Sequence, residues 1–524
     1  MSTQPPAPQS PSRTAGPADA AAPPALAGRL RTTAIVFMVI AAASPLTVMS
    51  GAAPLGFLLG NGPGFPALFL VGAGILVLFA VGLVAMARSV PRTGTFFTYV
   101  GYGLGRPAGL AAAHLALVSY TAVQLAVYAY LGAVLRTTVT GAGGPDVPWW
   151  LWSLAVVSVC GLMGYRKIDV SSRVLGVLLV GELLILVALV VAVLLRGGGV
   201  DGLTPAPFDP AQVTRGAPGV GLMLAMSAFV GFEATTVYRD EAHDPHRTIP
   251  RATYVSVVGI GVFYALVTWA MVATWGVDGI VAAASDPATF LSRTVGATLG
   301  PVGEVVVEVL LVTSLFACVL SFHNVLTRYQ YALSSTGVLP AGLSSVHPRH
   351  GSPSVSSFVQ STTAFSLVAV CALVGLDPVL QIFTWFSGLV PLALAALMVA
   401  TSVAVLRYFR RHPEAKPPRA PRWKTVVAPV LGALGLLLAI SLMVRYFPML
   451  VGDHDDAGAP VFGPVSLSLL AALVVVPVAG LVQAAVLRAR GVPLDLERIE
   501  AEVEAAPAAR TGEVSPGGGA AGRP

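Results

Sequence analysis

The chain alternates between long apolar stretches and short polar segments. Twelve stretches have roughly membrane-spanning length, at residues 32–60, 65–88, 106–135, 149–165, 170–195, 218–238, 252–276, 301–333, 354–376, 379–406, 425–445 and 464–487. About 20 consecutive apolar residues are enough to cross the hydrocarbon core of a bilayer as an α-helix. The pattern therefore predicts an all-α polytopic membrane protein with 12 transmembrane helices, which we call spans one to twelve.

Span six is interrupted in a way that a lipid-facing helix does not tolerate. Gly231 stands among bulky residues, Glu233 follows, and only a short apolar piece separates it from the charged residues 239–241. A charge at this depth costs roughly 2.5–3.5 kcal/mol on insertion scales. Non-helical backbone survives in a bilayer only where it is buried in protein or lines a cavity. We interpret span six as a helix broken at Gly231; the alternative is a glycine-kinked helix in which Glu233 caps its own second half.

Span one carries a second interruption, with Pro45, Gly51 and Pro54 inside what should be one helix. An ordinary proline-kinked helix is the alternative here. Matching Gly/Pro breaks in two halves of a chain indicate an inverted repeat with its binding site at the breaks. We therefore predict a disordered cytoplasmic tail at 1–28, a first repeat of five spans at 29–200, a second at 201–412, two further helices at 413–490, and a second disordered cytoplasmic tail at 491–524.

Composition and charge narrow the class of protein. Of the 524 residues, 55% are apolar and only 11% are charged, with a mean hydropathy of +0.78, whereas soluble chains carry about 25% charged residues. The net charge of +6 is not a nucleic-acid signal, because arginine and lysine concentrate in alternate loops. That asymmetry predicts a multi-pass protein of the cell membrane with both termini in the cytoplasm. The three cysteines lie in apolar runs and predict no disulfide framework.

Other functional classes lack their signatures. The chain has no HExxH, no G-x-S-x-G and no G-x-x-x-x-G-K-[ST] motif, so we predict no enzyme. The HDPH sequence at 243–246 is interpreted as a solvated loop rather than a zinc site, and no cofactor is expected. A channel would need a filter sequence or a ring of charge. The expected partners are a small-molecule substrate and the lipid bilayer, with no nucleic acid, in a monomer or homodimer.

Four segments carry a family resemblance. They read GFEATTVYRDEAHDPHRTIPRA at 231–252, SVPRTGTFFTYVGYGLGRPAG at 89–109, GYRKIDVSSRV at 164–174 and YALSSTGVLPAGLSSVHPRHGSPS at 331–354. Together they resemble the amino acid–polyamine–organocation superfamily, of the bacterial amino acid permease type. The resemblance implies a five-plus-five inverted repeat like that of the leucine-type transporters, moving amino acids or related amines. One departure is that many members carry a G-[SA]-G-[IV] run where residues 44–47 here read SPLT.

The two breaks supply the candidate substrate site. An unwound segment offers free N–H groups and a positive helix end, which suit a carboxylate, while unpaired carbonyls near 227–231 suit an ammonium group. Two further aromatics are candidate gates, Phe316 and Trp385. The predicted substrate-binding residues are Ala43, Ser44, Pro45, Leu46, Thr47, Ser227, Phe229, Val230, Gly231 and Phe232.

Glu182, midway along span five, and Glu233 are the candidate coupling residues. Neither helix core contains an arginine or lysine to neutralise them, and desolvation disfavours the charged form of a buried carboxylate. We predict proton-coupled uptake, with Glu182 as the proton carrier and Glu233 as the organiser of the broken helix. A tertiary hydrogen bond is the structural alternative for Glu182. Sodium coupling, exchange of an amino acid for a polyamine, and a solute sensor of transporter fold stay open. Gln124, in span three, is expected to be an interhelical hydrogen-bonding group.

Overall fold

The computed structural model describes residues 30–90, 94–166, 172–239, 242–349, 352–415 and 422–492. Within these ranges every extended regular element is a helix, which confirms the all-α class. Ten helices are long and apolar enough to cross a membrane: Thr32–Gly60, Gly62–Ala87, Arg106–Gly141, Val174–Leu195, Pro245–Trp275, Pro301–Ser335, Ser354–Val374, Pro378–Arg411, Trp423–Val451 and Pro464–Ala489. Each coincides with a predicted span. The predicted tail at 1–28, and that at 491–524 from residue 493 onward, lie outside the described residues.

The two remaining predicted spans have other forms. Span four is the 18-residue helix Trp149–Arg166, whereas span six consists of the short helices Pro218–Ser227 and Ala234–Val237. Two helices were not predicted, Phe96–Leu104 and Phe290–Leu299. Single turns occupy the loops, at Ala206–Phe208, Pro210–Val213, Ile280–Ala283, Ala341–Ser344 and Pro413–Ala415.

Span one is broken at Ser44. The first helical piece ends at Ala43, and Ser44 has φ 44° and ψ 75°, the left-handed conformation. It is the one non-glycine residue with positive φ in the described ranges. Pro45 explains the position, because its ring disfavours the helical conformation of the residue before it and removes one backbone donor. The predicted break in span one is therefore confirmed.

Span six is broken between its two helices. Residues 228–233 form successive tight turns, with hydrogen bonds from Val230 N–H to Ser227 O (3.3 Å), Phe232 N–H to Phe229 O (3.3 Å) and Ala234 N–H to Gly231 O (3.1 Å). Gly231 has φ 99°, which L side chains rarely adopt. The predicted break near Gly231 is confirmed, although its backbone is tightly wound rather than extended.

The packing is that of a protein with an apolar exterior. A continuous core joins the helices, while large aliphatic side chains such as Leu195 and Leu373 are more than four-fifths exposed. Three buried glutamines form a hydrogen-bonded series across three spans. Gln360 Nε2 donates to Gln124 Oε1 (2.6 Å), and Gln330 Nε2 donates to Gln360 Oε1 (2.6 Å). The interhelical role expected of Gln124 is confirmed.

Candidate functional site

The two breaks face a common cavity of about 90 Å³. Five helices line it: spans one, three, six, eight and ten. The lining residues are Ala43, Ser44, Thr47, Val48, Ala52, Val123, Ala126, Val127, Ser227, Val230, Cys318, Phe322, Phe383, Phe386, Ser387, Val390 and Pro391. All of them are uncharged. A cavity needs about 10–15 Å³ by this measure to hold one water, so this one has room for several water-sized groups.

At the break in span one, the backbone donors are only partly used. Pro45 has no N–H, Leu46 N–H donates to Glu182 Oε2 at 3.4 Å, and Val48 N–H donates to Ser44 O at 3.2 Å. The first amides of a helical segment lack partners within the segment. By this rule the Thr47 amide also lacks a partner within its segment; Thr47 lines the cavity, and among the described residues its buried hydroxyl has no hydrogen-bond partner.

Glu182 reaches this break from span five. Its side chain is 5% exposed, and Ser314 and Cys318 of span eight lie near it. The carboxylate does not line the cavity; it lies behind the break and holds the Leu46 amide. Both the coupling role and the structural alternative predicted for Glu182 are compatible with this position, because the tertiary hydrogen bond joins it to the site itself.

At the break in span six, Glu233 turns back onto the broken backbone. Its Oε2 accepts the Gly231 N–H at 3.0 Å, and it makes no cap to the helix Ala234–Val237. The alternative in which Glu233 caps its second half-helix is therefore wrong. Tyr120 of span three faces the same carboxylate. The Val230 carbonyl in these turns accepts no backbone hydrogen bond among the described residues. Val230 also lines the cavity.

The predicted substrate residues divide into two groups. Ala43, Ser44, Thr47, Ser227 and Val230 line the cavity, whereas Pro45, Leu46, Phe229, Gly231 and Phe232 do not. Phe232 packs edge-on against Phe79 of span two (6.2 Å between centroids), and Phe229 points toward glycines of spans two and seven. The predicted gates Phe316 and Trp385 also lie off the cavity wall, and their gating role stays a prediction.

Sequence reasoning missed the aromatic walls of the cavity. Phe322, Phe383 and Phe386 line it from spans eight and ten. The Phe383 ring lies 4.7 Å from that of Tyr130 between centroids and rests on Gly51, where a Cβ would clash with it. Phenylalanines in an apolar helix carry no sequence signal for the face they occupy, so only the folded structure shows which ones meet the breaks.

Along spans three and ten, Tyr130 and Phe383 stand at the end of the small cavity that is nearer to the residues lining a wider one. The Tyr130 hydroxyl donates to Ser50 O (2.8 Å), which ties span three to span one. Farther along spans three and ten is a cavity of about 550 Å³ whose lining includes Arg136, Asp146 and Asp377. Arg136 donates two hydrogen bonds to Asp146, at 2.6 and 2.9 Å, and holds the pKa of that carboxyl below its usual value. The aromatic pair therefore stands between the two sets of lining residues along these spans, and the wider set includes charged residues.

Comparisons with known proteins place this geometry in context. Residues 28–475 match the model of the amino acid permease family. The chain is 24% identical over 309 residues to the gamma-aminobutyric acid permease of Escherichia coli (strain K12), covering 57% of this chain and 64% of that protein. It is 24% identical over 406 residues to the branched-chain amino acid permease BcaP of Bacillus subtilis (strain 168), covering 73% and 81%. It is 21% identical over 311 residues to the low-affinity putrescine importer PlaP of Escherichia coli (strain K12), covering 57% and 67%.

Proposed function

The chain belongs to the amino acid permease family, and on that basis we propose that it is a secondary active transporter of amino acids or related amines. Transport would proceed by alternating access with proton coupling, and with both termini in the cytoplasm. One observation carries the proposal: two broken spans share a cavity, and a carboxylate from span five holds an amide of the first break.

Substrate recognition would rest on backbone groups. The Thr47 amide at the start of a helical segment suits a carboxylate, because the helix end is positive and the donor lacks an internal partner. The Val230 carbonyl and the Ser227 hydroxyl, on the opposite break, suit an ammonium group. The Ser227 hydroxyl already donates to Leu224 O (2.6 Å), which turns its lone pairs toward other donors. A zwitterion would thus connect the two breaks.

Proton coupling would follow from the position of Glu182. Its oxygen and a substrate carboxylate at Thr47 would occupy neighbouring amides of one break. Two unit negative charges about 6 Å apart repel by roughly 3 kcal/mol at an effective dielectric constant of about 20. Protonation of Glu182 removes that repulsion, so proton and substrate would bind together, each tightening the other by up to about a hundredfold.

The test is uptake of labelled amino acids into proteoliposomes with an imposed pH gradient, acidic outside. The wild type should accumulate substrate. Glu182→Gln should still equilibrate substrate but ignore the gradient, because the amide resembles the protonated acid and cannot titrate. Glu308→Gln is the matched control, since Glu308 is a half-buried carboxylate of span eight away from both breaks, and it should keep the response.

Several outcomes would contradict the proposal in separate ways. Full pH-driven accumulation by Glu182→Gln would make Glu182 structural. Accumulation that follows only a sodium gradient would refute proton coupling. Uptake that requires a counter-substrate inside the vesicles would indicate exchange. Binding of amino acids without any flux would indicate a sensor of transporter fold.

A further inference from the structure

We propose that the cavity selects a zwitterionic amino acid with a short, uncharged aliphatic side chain, and rejects diamines and amino acids with charged side chains. This inference rests on the proposed transport function and specifies its substrate class. Its basis is the chemistry of the cavity wall outside the two breaks.

The wall offers no partner for a second substrate charge. None of the cavity-lining residues is charged. The two carboxylates at the breaks do not line the cavity; Glu182 accepts a hydrogen bond from the Leu46 amide and Glu233 from the Gly231 amide. A charge removed from water without a partner is strongly destabilised. A diamine would leave one ammonium unpaired, and arginine, lysine or glutamate would leave the side-chain charge unpaired.

The apolar part of the wall fits a small aliphatic group. Val123 and Val127 of span three, Phe322 of span eight, and Phe386 and Val390 of span ten form it. Each buried methylene is expected to improve binding about fourfold until the volume of about 90 Å³ is filled. Affinity should therefore rise from glycine through alanine to valine and fall again for phenylalanine and tryptophan.

The first experiment measures competition against labelled valine, both for uptake into proteoliposomes and for equilibrium binding in detergent. Alanine should compete about 16-fold more weakly than valine, because it lacks two methylenes, and isoleucine should compete within about tenfold of valine. Arginine, glutamate and putrescine should compete at least about a hundredfold more weakly. 4-Aminobutyrate should also compete weakly, because its two charges lie at opposite ends of the molecule and it has no side chain to contact the apolar wall.

Competition by putrescine, arginine or 4-aminobutyrate equal to that of valine would overturn the inference while leaving transport intact. Selective binding of valine without any flux would instead refute the transport function and leave the selectivity standing. The two proposals therefore fail through different measurements on the same preparation.

A size variant tests the wall directly. Phe386→Ala enlarges the cavity and should strengthen competition by phenylalanine relative to valine by about tenfold or more. Phe365→Ala removes the same ring from span nine, where it is 46% exposed on the exterior, and should leave the ratio unchanged. If Phe386→Ala is too unstable to be purified in the folded state, Val390→Ala serves as the second wall variant. An unchanged ratio in a folded wall variant would overturn the assignment of this wall to the substrate side chain.

Discussion

Replacing Gly231 by alanine tests whether the break in span six is needed for transport. Gly231 has φ 99°, and its amide donates to Glu233. Alanine adds only a methyl group, so polarity and bulk change little, while the broken backbone conformation becomes unfavourable and a continuous helix becomes more favourable by up to about 1 kcal/mol. Leucine at the same position adds bulk as well and should abolish uptake.

The expected cost follows from backbone sterics. A non-glycine residue in a sparsely populated region of φ and ψ costs about 1–3 kcal/mol. If the broken conformation is the one that binds substrate, its population falls by roughly 5- to 150-fold relative to a straighter helix, and the apparent affinity falls by the same factor. We therefore expect KM for uptake to rise, with a lower temperature of thermal unfolding.

The matched control is Gly259→Ala in span seven. Gly259 lies in the helix Pro245–Trp275, and an added Cβ there would meet nothing within 4 Å. Alanine at such a helical site is neutral or stabilises by up to about 1 kcal/mol. Uptake kinetics and thermal unfolding are measured for both variants at equal expression. Equal behaviour of the two variants would show that the positive φ at Gly231 is dispensable and would refute the reasoning.

Three further substitutions test contacts around the site by thermal unfolding. Tyr130→Phe removes the hydroxyl that donates to Ser50 O (2.8 Å) and should lower the free energy of unfolding by about 0.5–1.5 kcal/mol. An unchanged free energy of unfolding would exclude a stabilising role for this hydrogen bond. Arg239→Ala removes the donor to the carbonyls of Ala87 and Val90 (2.8 and 2.9 Å) and should lower the free energy of unfolding by about 1.5–3 kcal/mol. Arg247→Ala, at an exposed position, is the control and should not lower it; equal losses in both variants would contradict the prediction. Gln360→Leu removes two interhelical hydrogen bonds and should lower the free energy of unfolding by roughly 0.6–1.7 kcal/mol for each. An equal loss in Thr362→Val, which changes an outward-facing side chain, would contradict this.

The spans and both breaks were predictable because their causes are local in sequence. Apolar runs of sufficient length form helices in a bilayer whatever their partners. Pro45 forces its neighbour Ser44 out of the helix, and Gly231 permits a conformation that other residues resist. These signals need no knowledge of the rest of the fold. The same holds for Glu233, whose partner Gly231 is two residues away.

The cavity wall and the long-range partners were not predictable from one sequence. Glu182 bonds to an amide 136 positions away, and Gln124 bonds to Gln360 across 236 positions. Phe383 and Phe386 look like any other aromatics of an apolar helix. The unpredicted helix Phe96–Leu104 is too short to register as a membrane-spanning apolar stretch, which needs about 20 residues.

Each of the two intramembrane carboxylates accepts a hydrogen bond from a backbone amide at a helix break, but the two bonds have different consequences. A broken helix exposes amides that the bilayer interior cannot hydrate, and a carboxylate is a stronger acceptor for them than a neutral group. Glu233 accepts an amide of its own break, so this bond moves with that segment, and Tyr120 of span three faces the same carboxylate. Glu182 accepts an amide of span one from span five, so any movement between these spans must stretch or break the bond. Through Glu182, the protonation of a carboxylate is tied to the hydrogen bond between spans one and five. For that reason we propose the coupling role for Glu182 and the organising role for Glu233.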